Sequence, residues 1–227
     1  MNAFTQRSFH DRAEAGRLLG QKLKGRPLRQ PLVLGIPRGG VVTAAALARE
    51  LNAELDVVLS RKLRAPYQPE YAIGAISEDG HVTLNPEAED MPEVTPEYLD
   101  QEKTYQLAEI ARRKKLFRSV RPAATSTHRS VIITDDGIAT GSTMRAALQT
   151  VRAQKPQELI LAVPVAAPER LDQLRPLCDE VICLLAPENF YAVGQFYQEF
   201  EPVEDAEVVQ LLQDEAQKHL PAAERKR

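Results

Sequence analysis

The chain has 227 residues, and 43% of them are hydrophobic, which is enough for one domain with a substantial core. The formal net charge of −3 excludes a general attraction to nucleic acid, so any affinity for phosphate has to be local. Two cysteines, Cys178 and Cys183, and four histidines are too few for a zinc site, and low cysteine use fits a reducing compartment. No apolar run is long enough to span a bilayer. We therefore expect a cytoplasmic protein with no nucleic-acid and no membrane partner.

The beginning of the chain alternates between helical and strand patterns. Apolar residues at helical spacing predict a helix over residues 7–23. Further along, the patterns predict a strand over 31–36, an alanine-rich helix over 41–51 and a strand over 56–60. Arg61 and Lys62 follow that last strand directly, so this part of the chain predicts a right-handed βαβ unit that ends in two cations.

Residues 64–96 depart from this alternation, because they contain five prolines and few long apolar runs. Two strand patterns, over 71–76 and 81–84, flank Glu78-Asp79-Gly80 and predict a hairpin. The proline- and glutamate-rich residues 86–96 predict a mobile loop. A long insertion of this kind is either a lid over a binding site or an ordinary solvated loop, and both interpretations stay open.

The second half returns to alternating elements. A helix is predicted over 97–117, and it ends in a basic cluster made of Arg112, Arg113, Lys114, Lys115 and Arg118. We expect this cluster to be a solvated helix end that complements the helix dipole, because no aromatic residues are interleaved as they are in nucleic-acid-binding surfaces. The remaining predictions are strands over 131–133, 158–165 and 181–185, helices from 144 onward, over 168–174 and over 208–212, and a frayed end over 221–227.

Five strands that alternate with helices predict an α/β fold with a doubly wound, mostly parallel sheet. We assign residues 1–227 to a single domain with a core of about residues 5–185. In such sheets ligands bind beyond the carboxyl ends of the strands. Polar chemistry follows three of the predicted strands, at residues 38–40, 61–62 and 135–143, so we expect these segments to converge on one edge of the sheet.

Residues 131–144, with the sequence VIITDDGIATGSTM, carry the most specific signal. A buried strand leads to Asp135 and Asp136, and a small hydroxyl-rich loop then precedes a helix. Such a loop presents backbone N–H groups and the positive end of a helix dipole, which suits a phosphate. Carboxylates instead accept hydrogen bonds from sugar hydroxyls or bind Mg²⁺. The stretch therefore predicts a site for a phosphorylated sugar.

The other two segments add a second anion site. Gly39 and Gly40 let the backbone approach an anion without a Cβ in the way, and Arg38, Arg61 and Lys62 add positive charge. A ligand with a monophosphate at one end, a diol in the middle and another anion at the far end satisfies all three segments. 5-Phosphoribosyl-1-pyrophosphate (PRPP) is such a molecule.

At this point a family resemblance is visible. VIITDDGIATGSTM resembles the PRPP-binding motif of type I phosphoribosyltransferases, and LGIPRGG resembles the pyrophosphate loop of that family. LSRKL resembles the strand end that reaches the pyrophosphate in some members. The GIPRGG loop, the hairpin and the VGQFY tail together resemble uncharacterised bacterial members rather than a named salvage enzyme.

The resemblance implies a type I phosphoribosyltransferase fold with a hairpin or lid insertion and a small C-terminal hood, for which residues 64–96 and 186–215 are the candidates. It implies an enzyme that transfers the phosphoribosyl group from PRPP to an unknown nitrogenous base, depends on Mg²⁺ and releases pyrophosphate. Proteins of this fold class often dimerise, so a homodimer is an expectation by analogy alone.

The resemblance also implies a set of site residues. The implied PRPP-binding residues are Asp135 and Asp136 for the ribose hydroxyls and Mg²⁺, Ala139, Thr140, Gly141, Ser142 and Thr143 for the 5-phosphate, and Arg38, Gly39, Gly40, Arg61 and Lys62 for pyrophosphate. The implied catalytic residues are Asp135, Asp136, Arg38 and Lys62.

The acceptor side of the reaction stays open. Some purine-specific members carry an acidic residue just before the Thr-Gly pair, and Ala139 stands there in this chain, which leaves Glu70 as a weak alternative general base. Phe190 and Tyr191 either stack on the base or pack in the core. The rival interpretation is a non-catalytic PRPP- or nucleotide-binding regulatory protein on the same fold.

Overall fold

The computed structural model of the protein describes residues 8–218, except for the side chains of Glu70, Glu87, Glu89 and Lys218. The strands are β1 (Leu32–Gly35), β2 (Glu54–Val57), β3 (Ser60–Ala65), β4 (Gln68–Ser77), β5 (Val82–Leu84), β6 (Ser130–Thr134), β7 (Glu158–Val165) and β8 (Glu180–Leu185). The helices are α1 (Arg12–Leu23), α2 (Gly39–Leu51), α3 (Pro86–Glu89), α4 (Pro96–Arg118), α5 (Ser142–Ala153), α6 (Pro168–Leu174) and α7 (Asp205–Lys218). Short 3₁₀ turns lie at Arg175–Leu177 and Val193–Phe196.

The predicted doubly wound parallel sheet is confirmed. Its five strands run in the order β2-β1-β6-β7-β8, and all neighbouring strands are parallel. Along β6 the side chains alternate between two apolar clusters: Ile132 packs on the side of α1, α2 and α7, and Ile133 packs on the side of α5 and α6. Both faces are therefore covered, as expected for strands that are apolar throughout.

The strand order reverses between β1 and β6. These strands are hydrogen-bonded neighbours, although β2, the antiparallel strands and α4 lie between them in the chain. Gly35 at the end of β1 lies beside Thr134 at the end of β6. A reversal of this kind leaves a crevice at the carboxyl ends of the two strands, because the chain leaves them toward opposite faces of the sheet.

A second, three-stranded antiparallel sheet contains β3, β4 and β5. The predicted hairpin between the runs 71–76 and 81–84 is confirmed as β4 and β5. The predicted strand over 56–60 is wrong at its end, because the parallel strand stops at Val57 and β3 begins at Ser60. Arg61 and Lys62 therefore lie inside an antiparallel strand that pairs with β4, where Leu63 is the fully buried residue that attaches this strand to the core.

Several helix boundaries differ from the predicted ones for local reasons. Helix α1 begins at Arg12 rather than at residue 7, because the side chain of Asp11 accepts a hydrogen bond from Glu14 N and caps the helix there. Helix α7 extends over Asp205–Lys218, well beyond the predicted 208–212. The predicted mobile loop 86–96 begins with the short helix α3, and the predicted frayed end 221–227 lies outside the described residues.

The basic cluster at the end of α4 is not uniformly solvated, so this expectation is wrong for Arg118. The Arg118 side chain is only 13% exposed, and its guanidinium donates to Asp56 at 2.7 Å and to Glu78 at 2.7 Å. Asp56 itself is buried in β2. A buried carboxylate needs such a partner, so Arg118 ties α4 to the end of β2.

No helix within residues 8–218 is both long enough and apolar enough to cross a membrane.

Candidate functional site

The crevice at the ends of β1 and β6 brings two of the predicted site segments into contact. The loop after β1 contains Arg38, and Gly39 and Gly40 open the helix that follows, while the loop after β6 begins with Asp135 and Asp136. A Cβ on Gly39 would lie 2.1 Å from Asp136 Oδ2, and a Cβ on Gly40 would lie 2.6 Å from Asp135 Oδ1. The two glycines therefore provide the space that the two carboxylates occupy.

Asp135 is the member of the acidic pair whose ionisation the fold disfavours. Its Oδ1 accepts a hydrogen bond from the Asp136 backbone N–H at 2.9 Å. Burial, and next the negative charge of Asp136, raise the pKa of the Asp135 carboxyl well above its usual range. Ionising both carboxylates therefore costs free energy. A bound cation or a hydroxyl-rich ligand would reduce this cost.

Asp136 has two protein partners that the sequence gives no means of finding. Arg12 Nε lies 2.8 Å from Asp136 Oδ2, and the Tyr197 hydroxyl donates to the Asp136 carbonyl oxygen at 2.6 Å. Burial, and next the charge of Asp136, raise the pKa of the Tyr197 phenol, which therefore stays a proton donor. Both partners are distant in the sequence, and no motif links them to the acidic pair.

The loop that follows the acidic pair is anchored at one end and open at the other. Ile138 N donates to Val165 O at 2.9 Å, which attaches the loop to the end of β7. Gly141 has a φ of +80° and forms the N-cap of α5, so it offers no side-chain acceptor to the first N–H groups of that helix. Ala139 and Thr140 are exposed. The loop thus presents backbone donors at a helix N-terminus, which is an arrangement that binds phosphate.

A cavity of about 370 Å³ lies between this loop and β3. Its lining includes the hydroxyl-bearing residues Thr140, Ser142 and Thr143 and the cationic residues Arg61, Lys62, Arg64 and Arg113. The structure therefore brings Arg61 and Lys62 to the hydroxyl-rich loop, although they come from an antiparallel strand and not from the end of a parallel one.

The cations of this cavity differ in how far protein groups neutralise them. Arg64 makes a two-pronged ion pair with Glu102, with both donor–acceptor distances at 2.8 Å. Arg61 Nε donates to the neutral side chain of Gln106 at 3.0 Å. Glu109 also lines the cavity, but the cationic side chains outnumber it. Because a neutral amide does not cancel the charge of Arg61, the cavity keeps positive charge for an anionic ligand.

Arg113 is the functional candidate in this cavity that sequence reasoning missed, because it was grouped with the solvated cluster. It is half-buried, and burial, followed by the positive charges of Arg112, Arg61 and Arg38, lowers its pKa against the opposing effect of Asp205. Gln106 and Arg113 stand two helical turns apart on α4, so the spacing could have placed Arg113 on the face that carries Gln106.

Arg38 lies at the N-cap of α2 with an exposed side chain, and its guanidinium is 3.9 Å from Glu204 Oε2. The peptide bond between Pro37 and Arg38 is cis. Arg38 is close enough to Arg113 to lower the pKa of Arg113. It therefore adds to the positive potential of the cavity, although its guanidinium faces Glu204.

Asp135 and Asp136 are two carboxylates that could contribute ligands to a divalent cation. Among the described side chains of residues 8–218, which do not include those of Glu70, Glu87 and Glu89, no three from His, Cys, Asp or Glu are grouped closely enough to form a metal site of their own. Mg²⁺ is commonly bound by one or two carboxylates with substrate phosphates and water completing its shell. Asp135 and Asp136 next to a loop that suits phosphate fit this donor set.

The lid and hood candidates are partly core elements. Within the lid candidate 64–96, Ile73 and Ile76 are fully buried, whereas Tyr67 in the β3–β4 turn is 96% exposed. Of the hood candidate 186–215, helix α7 packs on α2 and β2, and the segment before it approaches the acidic pair through Tyr197.

The acceptor candidates differ in exposure. Phe190 packs against Phe196 with ring centroids 5.3 Å apart, and Tyr191 is 88% exposed. Glu70 lies in β4, and its side chain falls outside the described part of the structure. Of the two aromatic residues, Tyr191 is therefore the more exposed.

Known proteins resemble this chain in both sequence and fold. The phosphoribosyl transferase domain family matches residues 6–201. A crystal structure of TT1426 from Thermus thermophilus shares 43% identity and a TM-score of 0.87, over 91% of this chain and 98% of that one.

Two Mycobacterium tuberculosis proteins, "Putative phosphoribosyl transferase Rv0571c" of strain H37Rv and "Putative phosphoribosyl transferase MT0597" of strain CDC 1551, are 43% identical over 204 residues. The match covers 90% of this chain and 46% of each relative, so the chain spans about half the length of these relatives.

The raised pKa of Asp135 predicts a pH-dependent stability. Because the folded protein holds the proton more tightly than the unfolded chain, stability falls as the pH rises from the ordinary carboxyl pKa through the raised one. We expect Asp135→Asn to increase the unfolding free energy of the ligand-free protein by about 1 kcal/mol at neutral pH, measured by urea denaturation in a chelator.

Asp179→Asn is the control of opposite sign. Arg152 and the Leu159 N–H, which donates at 2.7 Å, outweigh burial and lower the pKa of Asp179, so this substitution should destabilise the protein above the carboxyl pKa. If Asp135→Asn and Asp179→Asn both lower the free energy of unfolding, the charge of Asp135 does not destabilise the fold and the assignment is contradicted.

Proposed function

This chain belongs to the phosphoribosyl transferase domain family, and on that premise we propose that it transfers the 5-phosphoribosyl group of PRPP to a nitrogenous base with release of pyrophosphate. One observation carries the proposal. The acidic pair lies against the start of α2 at the crevice between β1 and β6, and the hydroxyl-rich loop that follows the pair also lines a cavity with cationic side chains. These three parts match the diol and the two anionic ends of PRPP.

Each end of the donor has a group of residues to receive it. We assign the 5-phosphate to the backbone N–H groups and hydroxyls of Ala139, Thr140, Gly141, Ser142 and Thr143. We assign the ribose hydroxyls to Asp135 and Asp136, which accept hydrogen bonds when ionised. The pyrophosphate falls to Arg38, the backbone of Gly39 and Gly40, and the cations Arg61, Lys62 and Arg113.

The reaction breaks the bond between C1 of the ribose and the pyrophosphate oxygen, and it forms a bond between C1 and a nitrogen of the acceptor, which then loses a proton. Positive charge develops on the ribose ring before the new bond is complete. The negative charge of Asp135 and Asp136 would stabilise that state, and the cations beside β3 would stabilise the negative charge of the departing pyrophosphate. Bound Mg²⁺ would neutralise further charge on the pyrophosphate.

The segments near the donor site bear on the acceptor in two ways. Ala139 is exposed and has no acid–base group, so this position supplies no general base to the acceptor nitrogen. The exposed ring of Tyr191 is an aromatic surface that the segment after β8 offers for stacking on a base. We therefore propose a nitrogenous base as the acceptor class.

The first test measures PRPP binding by calorimetry with and without Mg²⁺. We expect Asp136→Asn to weaken binding in Mg²⁺ by about tenfold or more, because a charge-assisted contact is lost, and to have a smaller effect in a chelator. Asp179→Asn, a change of the same kind away from the crevice, should leave the affinity unchanged. Equal affinity of wild type and Asp136→Asn in Mg²⁺ would contradict the site.

The second test concerns Arg113. Arg113→Gln keeps a polar side chain on α4 but removes one of the cations of the cavity, so we expect PRPP affinity to fall by about tenfold, with a smaller dependence on salt. Lys115→Gln removes an exposed charge two residues away and should change PRPP affinity little. If Arg113→Gln and Lys115→Gln weaken PRPP binding equally, Arg113 contributes only to the overall positive potential and makes no direct contact with PRPP.

A non-catalytic PRPP-binding regulator is the second candidate function, and the observation that favours it is Ala139, because this side chain has no acid–base group to offer an acceptor. The two functions are separated by incubating the protein with PRPP, Mg²⁺ and a panel of purine and pyrimidine bases. We expect base-dependent release of pyrophosphate. PRPP binding without pyrophosphate release for any base would instead support the regulator.

A further inference from the structure

Arg12 reaches the acidic pair from the first turn of α1. Its Nε lies 2.8 Å from Asp136 Oδ2, and the two side chains are only 11% and 16% exposed. A Cβ on Gly39 would lie 2.9 Å from the same nitrogen, so the ion pair sits directly against the start of α2. The three segments of the chain that contain Arg12, Gly39 and Asp136 therefore meet at one point.

The Arg12 guanidinium is fixed by more than its ion pair. Its Nη1 donates to the carbonyl oxygen of Glu201 at 2.8 Å, and its central carbon lies 3.8 Å from the centroid of the Phe200 ring. A planar guanidinium held by a carbonyl, an aromatic face and a carboxylate has little freedom to rotate. Arg12 is therefore a rigid partner for Asp136 and not a mobile surface charge.

The C-terminal segment that contacts the Arg12 guanidinium, residues 197–201, also contacts the backbone of Asp136. The Tyr197 hydroxyl donates to Asp136 O at 2.6 Å, and the Tyr197 ring stacks on Phe200 with centroids 5.0 Å apart. Phe9 joins the N-terminal segment to this one, since Phe9 N donates to Phe196 O at 2.8 Å. The N-terminal segment with Phe9 and Arg12 and the C-terminal segment 196–201 thus pack together, and both contact Asp136 or its neighbours.

We infer that Arg12 is a positioning residue that fixes the Asp136 carboxylate for PRPP and Mg²⁺, an inference that rests on the proposed function. Arg12 engages Oδ2, which leaves Oδ1 as the oxygen that a ligand can reach without breaking the ion pair. Two neighbouring carboxylates repel each other, and the nearby guanidinium offsets that repulsion. Arg12 thereby keeps Asp136 in one orientation beside the crevice.

A competing role for the same contact makes the opposite prediction. If Arg12 blocked Asp136 and had to leave before the ligand could bind, its removal would increase the affinity for PRPP. If Arg12 positions Asp136, its removal decreases the affinity, because the carboxylate then has to be ordered by the ligand itself. The sign of the change in affinity decides between the two roles.

The test compares Arg12→Met, Arg12→Lys and Arg152→Met by calorimetry with PRPP in Mg²⁺. Arg12→Met keeps most of the side-chain length and removes the charge, and we expect about tenfold weaker binding. Arg12→Lys keeps the charge but lacks the planar fork that engages both Asp136 and Glu201, so it should restore part of the affinity. Arg152→Met breaks an arginine–carboxylate pair with Asp179 elsewhere and should bind as wild type.

A double-mutant cycle with Asp136→Asn shows whether Arg12 acts through Asp136. We expect Arg12→Met to have little further effect in the Asp136→Asn background, and thermal unfolding of each variant controls for loss of fold. Wild-type or tighter PRPP binding by Arg12→Met, or full additivity in the cycle, would overturn the inference. If Arg12→Met does not fold, wild-type affinity of Arg12→Lys would overturn it.

The proposed function and this inference fail in distinguishable ways. If Asp136→Asn alone leaves PRPP binding unchanged, the donor site is wrong and the inference falls with it. If Asp136→Asn weakens binding and Arg12→Met does not, only the role of Arg12 is wrong.

Discussion

Two carboxylates side by side at the end of a buried parallel strand are the constraint on which the rest of this site depends. Burial and the charge of Asp136 both raise the pKa of Asp135. The surrounding chain is arranged to tolerate that charge: Gly39 and Gly40 leave room for the two side chains, and Arg12 lies against one of them. A ligand that brings hydroxyl donors or a divalent cation to the pair would reduce the remaining cost of ionising it, and the proposed function uses that gain for binding.

Positive charge is concentrated in the cavity beside the pair. Arg61 and Arg113 line a cavity with the loop at the start of α5, while Arg64 on the same strand as Arg61 is already neutralised by Glu102. This separation suits a ligand that carries a diol in its middle and anions at its ends. A site of uniform charge would attract anions without orienting them. The proposed specificity for a phosphorylated sugar therefore rests on the division between an acidic centre and a basic flank.

The sequence predicted the sheet and the strand–loop–helix unit of this site because both are local. Apolar strands, the Asp135-Asp136 pair and the small residues before α5 lie within one continuous stretch, and such a unit folds in nearly the same way wherever it occurs. The sequence did not predict the antiparallel strand around Arg61, since only its pairing with β4 in the folded protein shows that a new strand begins at Ser60. Contacts between distant segments leave no local pattern, so Arg12 could not be found before the fold was known. Arg113 is an intermediate case: the sequence shows its helical spacing from Gln106, but only the folded structure shows that both residues line the cavity.

A crystal structure of the protein with PRPP and Mg²⁺ tests the central claim most directly. The account predicts density for the 5-phosphate within the loop formed by residues 139–143, the ribose hydroxyls against Asp135 and Asp136, and the pyrophosphate toward Arg61 and Arg113, with the Arg12 ion pair intact. PRPP bound elsewhere, or bound in the crevice with its 5-phosphate away from this loop, would contradict it.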